Sequence, residues 1–519
     1  MCRVLTVGLF CALAVEIAAP VDTSDKTISE IQQLLSKNDF PAAATALAAA
    51  LKRDPGNAGL YDLRGILEAQ QQDYGAAEVD FTKAIRLNQQ LTGAYLNLGK
   101  LYLMRIDNDA TAMGKATNVY SQLLRIHPEL VDARYQLAAL LEWQGEFRRS
   151  FQELTRLPES EQAKSRVLAF RCADLAGMGE QANATKAGED LLGASDLSEH
   201  DVLETLPVLT RTGKQEIICN LLEGLAKRQL ASAETLLHLA ETYESLRRFA
   251  QARQTLEKAS QMEPQSTAPL LALARVAEKQ HDLEGALGYL AHARDLEPNN
   301  SAVLFFFGIV SIELDLPVEA KRSLERALKI NPENAYYHYA LGSVELEEKV
   351  PGDAIPHFQK YVAAQPNDPR GHLALGIAEF ASGDYEQARR EMNTVAANRE
   401  TAAGAEYFLG RIAKLDWKLD EAAEHLTRSI HEDPNYAESR AELGKVKLLQ
   451  GNYDEARLEL EGALKVDPES YLANLNLLEL YRKTKDSRAE AQARRVQELE
   501  QRRSQKRELM LRTIQVRPN

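Results

Sequence analysis

SAVLFFFGIVSIELDLPVEAKRSLERALKINPEN, residues 301–334, runs directly into AYYHYALGSVELEEKVPGDAIPHFQKYVAAQPND, residues 335–368. Written one above the other, the two 34-residue stretches agree at the positions that constrain a backbone: Gly308 over Gly342 at position 8, Ala320 over Ala354 at position 20, Pro332 over Pro366 at position 32. Proline cannot continue a helix, so position 32 marks a break between helices. A small residue at position 20 is what two closely approaching helix backbones require. Glycine in mid-helix costs about 1 kcal/mol relative to alanine, so its recurrence at position 8 implies a packing need that outweighs that cost.

The same ruler extends along most of the chain. Pro128, Pro264, Pro298, Pro434 and Pro468 lie on the proline ladder, with Glu400 on its vacant rung. Position 20 reads Ala184, Ala252, Ala286, Ala388, Ala422 and Ala456 in the other repeats, with Ser150 and Ile218 as departures. Position 8 reads Ala138, Cys172, Ala240, Ala274, Gly376, Gly410 and Gly444, and Leu206 breaks it. Upstream, repeats from 24 and 58 keep Ala43, Ala77 and Gly65 in register. The repeat from 92 opens on Ala94-Tyr95-Leu96-Asn97-Leu98-Gly99 and then carries five extra residues around Ile106-Asp107-Asn108-Asp109, which belong in the turn between its helices.

This spacing and its columns resemble the tetratricopeptide repeat family. The resemblance implies an all-α, right-handed α-solenoid of helix-turn-helix repeats, whose concave face is lined by the first helix of each repeat and commonly binds peptides or proteins. Length alone, at 519 residues, would suggest three or four domains; the repeat replaces that count with thirteen units sharing one continuous core. The expected organisation is a signal peptide at 1–19 and an N-terminal block at 24–158 with repeats from 24, 58, 92 and 131. Two degenerate repeats follow at 159–232, seven regular repeats at 233–470, and a capping helix with a basic helical tail at 471–519. Gly145, Gly179 and Gly213 keep the period through the degenerate stretch. With Leu206 and Ile218 at both small-residue columns, repeat 199–232 should have splayed or shifted helices, and if the solenoid bends or hinges this is the candidate place.

Composition narrows the function classes. A formal charge of −14 argues against nucleic acid as the main partner. Four cysteines exclude a disulfide-built scaffold. From Arg482 to Asn519, however, twelve Lys and Arg face five acids. A solvated helix is the preferred reading of that segment, with peripheral contact to an anionic surface as the alternative. At the other end, Arg3 precedes the uncharged stretch VLTVGLFCALAV, Val4 to Val15, and the small residues Ala18-Ala19. This pattern resembles a secretory signal peptide and is too short for a comfortable membrane span. The expectation is an exported, periplasmic or extracellular protein; an uncleaved N-terminal anchor is the alternative.

No G-x-x-x-x-G-K-[ST], G-x-S-x-G, H-E-x-x-H or C-x-x-C occurs, and the repeats leave no stretch long enough for a catalytic domain. The expectation is therefore a non-enzyme without metal or cofactor. His338 and His372 sit at position 4 of adjacent repeats and could face one another, but two ligands without a third make a poor metal site. Cys172 and Cys219 are expected to stay unpaired.

Binding should then reside in the groove. Helical periodicity puts positions 2, 5, 9 and 12 of each first helix on one face. In the C-terminal block these give an apolar strip of Phe305, Ile309, Tyr336, Tyr339, Leu373, Ile377, Phe380 and Tyr407, followed by the cations Arg411, Lys414 and Lys445. The strip suggests a site for an apolar or aromatic peptide with an acidic group at one end; the competing reading is that these residues pack neighbouring first helices together. The function expected is a scaffold or adaptor in a bacterial cell envelope or secreted compartment. The alternatives are an assembly factor of an envelope export or polysaccharide machine, or a regulatory subunit of a separate enzyme.

Overall fold

The computed structural model describes residues 26–503, and among them the chain forms helices and no strand. The expected signal segment and the end of the basic tail lie outside these residues. Helices follow one another in pairs, from Lys26–Ser36 with Phe40–Arg53 to Tyr471–Lys483 with Ala489–Arg503. A short helix at Glu159–Gln162 is the single addition to this order among the described residues. In the last pair the chain turns at Lys485 after Tyr471–Lys483 and packs a second helix back, burying Val496 and Leu499.

The period is visible in the backbone itself. Asn38, Gln72, Gly145, Gly179, Gly213, Arg247, His281, Asp315, Lys349, Gly383, Trp417, Gly451 and Lys485 all have positive φ, and each occupies position 15 of its repeat, in the turn between the two helices. The repeat from 92 is the exception, because its insertion rebuilds that turn as Met104–Thr111, tied down by Arg105 and Lys115 on Glu78. Caps recur at the same interval. Asn300, Asn334 and Asp368 at position 34 accept from backbone N–H groups of the next first helix, and Asp39, Asp73, Asp282 and Asp384 at position 16 do so for the second helix.

The proline ladder has a second role. Where a helix breaks at position 32, the proline carbonyl loses its helical partner, and position 4 of the following repeat supplies a donor. Arg134 donates to Pro128 O at 2.6 Å, His338 to Pro332 O at 2.8 Å, His372 to Pro366 O at 3.1 Å and Asn474 to Pro468 O at 3.4 Å. The two histidines therefore do not face each other. The other ring nitrogen of His338 meets His357 Nδ1 at 2.8 Å, and that of His372 meets Glu391 at 2.6 Å, each within its own repeat. With Nε2–H committed to the carbonyl, Nδ1 of His338 is the acceptor in the histidine pair. Burial, and then His338, push His357 down to about 4.

Position 8 is glycine because of position 24. A Cβ on Gly410 would lie 2.7 Å from Leu426 Cγ and 3.2 Å from Ala422 O; on Gly444 it would lie 2.6 Å from Leu460 Cγ and 3.3 Å from Ala456 O. The small residue at position 20 lets the backbones meet, and the large one at position 24 then fills the space a position 8 side chain would need. Cys172 is the same contact in a worn repeat, its Sγ 3.4 Å from Ala184 O; it and Cys219 are buried and free.

Compact packing divides the described chain into two units, between Ala259 and Ser260. Repeat 199–232 is splayed, as its two large residues predict: helices Glu199–Arg211 and Gln215–Lys227 approach each other far less than the regular pairs do. Its second helix also packs on Gln181–Gly193, where a Cβ on Gly224 would lie 2.4 Å from Leu192.

These contacts separate two glycines of the C-terminal unit. Gly410→Ala should lower stability by a net of about 1–2 kcal/mol, overpacking against Leu426 exceeding the gain in helix propensity. Gly288, in mid-helix Leu283–Leu296 with nothing within 4 Å of a built Cβ, should as alanine raise stability by up to about 1 kcal/mol. Urea midpoints by circular dichroism check the pair; a shift of the same sign for both would refute the packing explanation.

Candidate interaction site

The C-terminal strip is packing material over most of its length. Phe305, Ile309, Tyr339, Leu373, Ile377, Phe380 and Tyr407 are each 9% exposed or less. Phe305 stacks on Tyr337 with ring centroids 4.7 Å apart, Tyr339 meets Tyr361 at 4.7 Å, and Phe380 meets Phe408 at 5.2 Å. Tyr336 alone of the eight remains open, at 41% exposure. The three cations are spoken for as well. Arg411 lies 4.5 Å over the Phe380 ring and 3.6 Å from Glu442, Lys414 pairs with the same Glu442, and Lys445 pairs with Glu479. The structure brings the predicted residues together, but as the joint between successive first helices and not as an open basic-ended strip. Periodicity identified the face; it does not say how much of that face the next repeat covers.

An open concavity lies elsewhere, on the first helices of the N-terminal unit. Helices Val131–Trp143, Ser165–Gly177 and Glu199–Arg211, with the inserted turn after Thr92–Leu103, enclose a cavity of about 180 Å³. Its walls are apolar, from Leu103, Met104 and Ile106 in and beside the insertion to Ala139, Trp143, Phe170, Pro207 and Val208. Both departures from the ruler build it: the five extra residues supply Met104, Ile106 and Asp107, and the worn repeat supplies Pro207 beside Leu206. Those irregularities were legible in the sequence, but only as damage to the pattern.

Polar groups converge on the same space. Glu142 lines the cavity, is 8% exposed, and its Oε1 has no hydrogen-bond partner. Burial raises its carboxyl well above the usual range; Asp174 and Glu204 add to the rise and Arg211 opposes it. Asp174, on the neighbouring helix and fully buried, has both oxygens without a well-placed partner, and burial lifts it to about 8, the Ser150 hydroxyl offsetting only part. The two arginines at the rim are turned to ring faces, Arg166 to Tyr135 at 4.7 Å and Arg211 to Phe147 at 5.5 Å, and Arg211 donates to the backbone carbonyl of Glu142 at 3.3 Å. Among the described residues no group of three or more His, Cys, Asp or Glu is placed to hold a metal ion, and no helix is long and apolar enough to cross a membrane.

Paired helices repeated at a fixed period, with an amphipathic recess on the first-helix layer, define a helical-repeat scaffold. Tetratricopeptide repeat models match residues 30–92, 233–266, 277–344, 345–407 and 418–478, more than half of the chain. The chain belongs to the tetratricopeptide repeat family. It is 34% identical over 103 residues to the F-box/TPR repeat protein pof3 of Schizosaccharomyces pombe, a match that spans 20% of this chain and 17% of that protein. Among solved structures it is similar to a tetratricopeptide repeat protein from Parabacteroides merdae, at 20% identity and a TM-score of 0.40, over 48% of this chain and 98% of that one. It is also similar to pilF of Pseudomonas aeruginosa, at 24% identity and a TM-score of 0.36, over 40% of this chain and 95% of that one.

The buried acids make the N-terminal unit sensitive to pH in a defined direction. Asp174 titrates near 8 when folded and near 3.8 in an exposed chain, so the folded state holds the extra proton, and stability must fall as pH rises from about 4 to about 8. Glu142 acts in the same sense. Asp174→Asn should flatten that slope and leave the unit more stable than wild type at pH 8, by about 1–3 kcal/mol. Trp143 fluorescence in a Trp417→Phe background, where it is the sole tryptophan, reports urea unfolding of this unit; an unchanged slope between pH 5 and 8 would rule the assignment out.

Proposed function

We propose that the chain is a non-enzymatic scaffold that takes a protein partner on the first-helix face of its N-terminal unit, and that it works outside the cytoplasm, in a bacterial envelope or secreted compartment. One observation carries the binding site: the recess that joins Trp143, 39% exposed, to the buried and unpartnered Glu142. An aromatic group beside arginines, around a polar atom that awaits a partner, is the arrangement protein recognition sites favour. At about 180 Å³ the recess is below the ~300–1,000 Å³ usual for a cofactor or drug-sized ligand, and suits one side chain of a larger partner. Export is supported by Arg3, the apolar stretch from Val4 to Val15 and the small residues after it.

Ala139 lines the recess, so Ala139→Phe fills it without changing charge. A partner captured by the immobilised wild-type chain and identified by mass spectrometry should be lost at least tenfold with this variant, at unchanged helicity; equal capture would remove the recess as the site. N-terminal sequencing of chain recovered from outside the cytoplasm should begin near residue 20, and a start at Met1 would refute cleavage.

A further inference from the structure

Resting on that reading, the chemistry of the recess narrows what can enter it. Its walls are carbon, and the carboxylates at or beside it outnumber the cations free to answer them. Glu142 Oε1 is unpartnered, Glu204 meets His200 at 3.2 Å, and Asp174 on the adjacent helix has only the Ser150 hydroxyl to answer it. Arg166 and Arg211 do not close the account, because each is held over an aromatic ring and neither forms an ion pair with Glu142 or Glu204. A buried acceptor without a donor is costly, and a donor that arrives with positive charge relieves that cost most.

We propose that the recess binds a lysine or arginine side chain of a partner peptide, its methylene stem along Ala139, Phe170 and Val208 and its cationic head on Glu142. Long basic side chains are built for such a site, with an apolar stem that packs and a head that hydrogen-bonds. Glu204 at the rim adds attraction, and exposed Trp143 with Met104 and Ile106 offers apolar surface to the residues on either side of the inserted one. The titratable and charged groups that face Glu142 are Asp174 and Cys172 on the adjacent helix, both held in their neutral forms at neutral pH by burial, and Glu204 and Arg211 on the next. On binding, the cation favours the ionised form of Glu142, so the proton held in the free protein leaves to solvent.

Full-length chain carrying Trp417→Phe, which leaves Trp143 as the reporter, is titrated with three peptides, acetyl-Gly-Leu-X-Leu-Gly-amide with X as lysine, norleucine or glutamate, and with n-hexylammonium as the free amine. The lysine peptide should bind about tenfold or more tighter than the other two peptides and than the free amine, tenfold being about 1.4 kcal/mol. Glu142→Gln should remove the preference for lysine over norleucine and retain apolar binding, and Ala139→Phe should abolish binding of all three peptides. Equal affinity for norleucine overturns the proposal, as does tighter binding of glutamate, which would assign the site to Arg166 and Arg211. A free amine as tight as the peptide would make a small cation the ligand and also overturns it. Absence of saturable binding, or a lysine preference that survives Glu142→Gln with helicity intact, counts against it equally. If the lysine preference fails while capture of a protein partner still depends on Ala139, the inference falls and the scaffold reading stands.

Discussion

The close approach of two helices within a repeat is the constraint on which the rest depends. An alanine at position 20 brings the backbones together, the position 24 side chain occupies what would be the Cβ space of position 8, and the turn at position 15 must take positive φ to return the chain at that distance. Each helix pair is too small to bury a core alone, so stability is shared between neighbours. The joints between repeats follow from the same geometry. Where a proline follows the second helix its carbonyl is left open, and a donor at position 4 of the next first helix closes it at Arg134, His338, His372 and Asn474.

What the sequence made legible divides along this line. The helix pairs could be read because glycine, alanine and proline are selected by backbone distance, and backbone distance repeats exactly as the chain does. The splay of repeat 199–232 was readable for the same reason, from Leu206 and Ile218. Lys349 and Trp417 show the limit: both hold the left-handed conformation that glycine holds at the same position in neighbouring repeats, and nothing in a lysine or tryptophan announces it. The histidines sit at the position the period gave them, but the facing pair it allowed is not the contact they make, since a period puts equivalent residues in line without saying which atom each one meets.

The interaction site was harder still, and the reason lies in what regular repeats do with their first helices. In the C-terminal unit Phe305 stacks on Tyr337 and Phe380 meets Phe408 of the next first helix, while Tyr339 packs on Phe358 and Tyr361 of its own repeat's second helix, so the strip is consumed in holding the stack, and Glu442 and Glu479 neutralise the cations beyond it. A perfect column leaves little surface to spare. Space opens where the columns fail, at the insertion after Leu103 and along the helix that carries Leu206 and Pro207, and this is where the cavity lies.

That arrangement also bears on why two unpartnered acids persist in the N-terminal unit. Leaving Glu142 and Asp174 buried costs on the order of 1–3 kcal/mol each, a large sum against the ~5–15 kcal/mol by which an ordinary domain is stable. A single small domain would lose much of its stability to such a pair. A stack of repeats distributes the loss, because the regular pairs on either side hold the worn ones in place through their shared faces. The repeat from 131 and the degenerate stretch after it can therefore keep groups that oppose their own folding, and one of those groups can still act when another molecule arrives. Glu142, at the wall of the cavity with an oxygen unanswered, is placed to do so, while Asp174, fully buried on the adjacent helix and titrating near 8, adds no charge of its own at neutral pH.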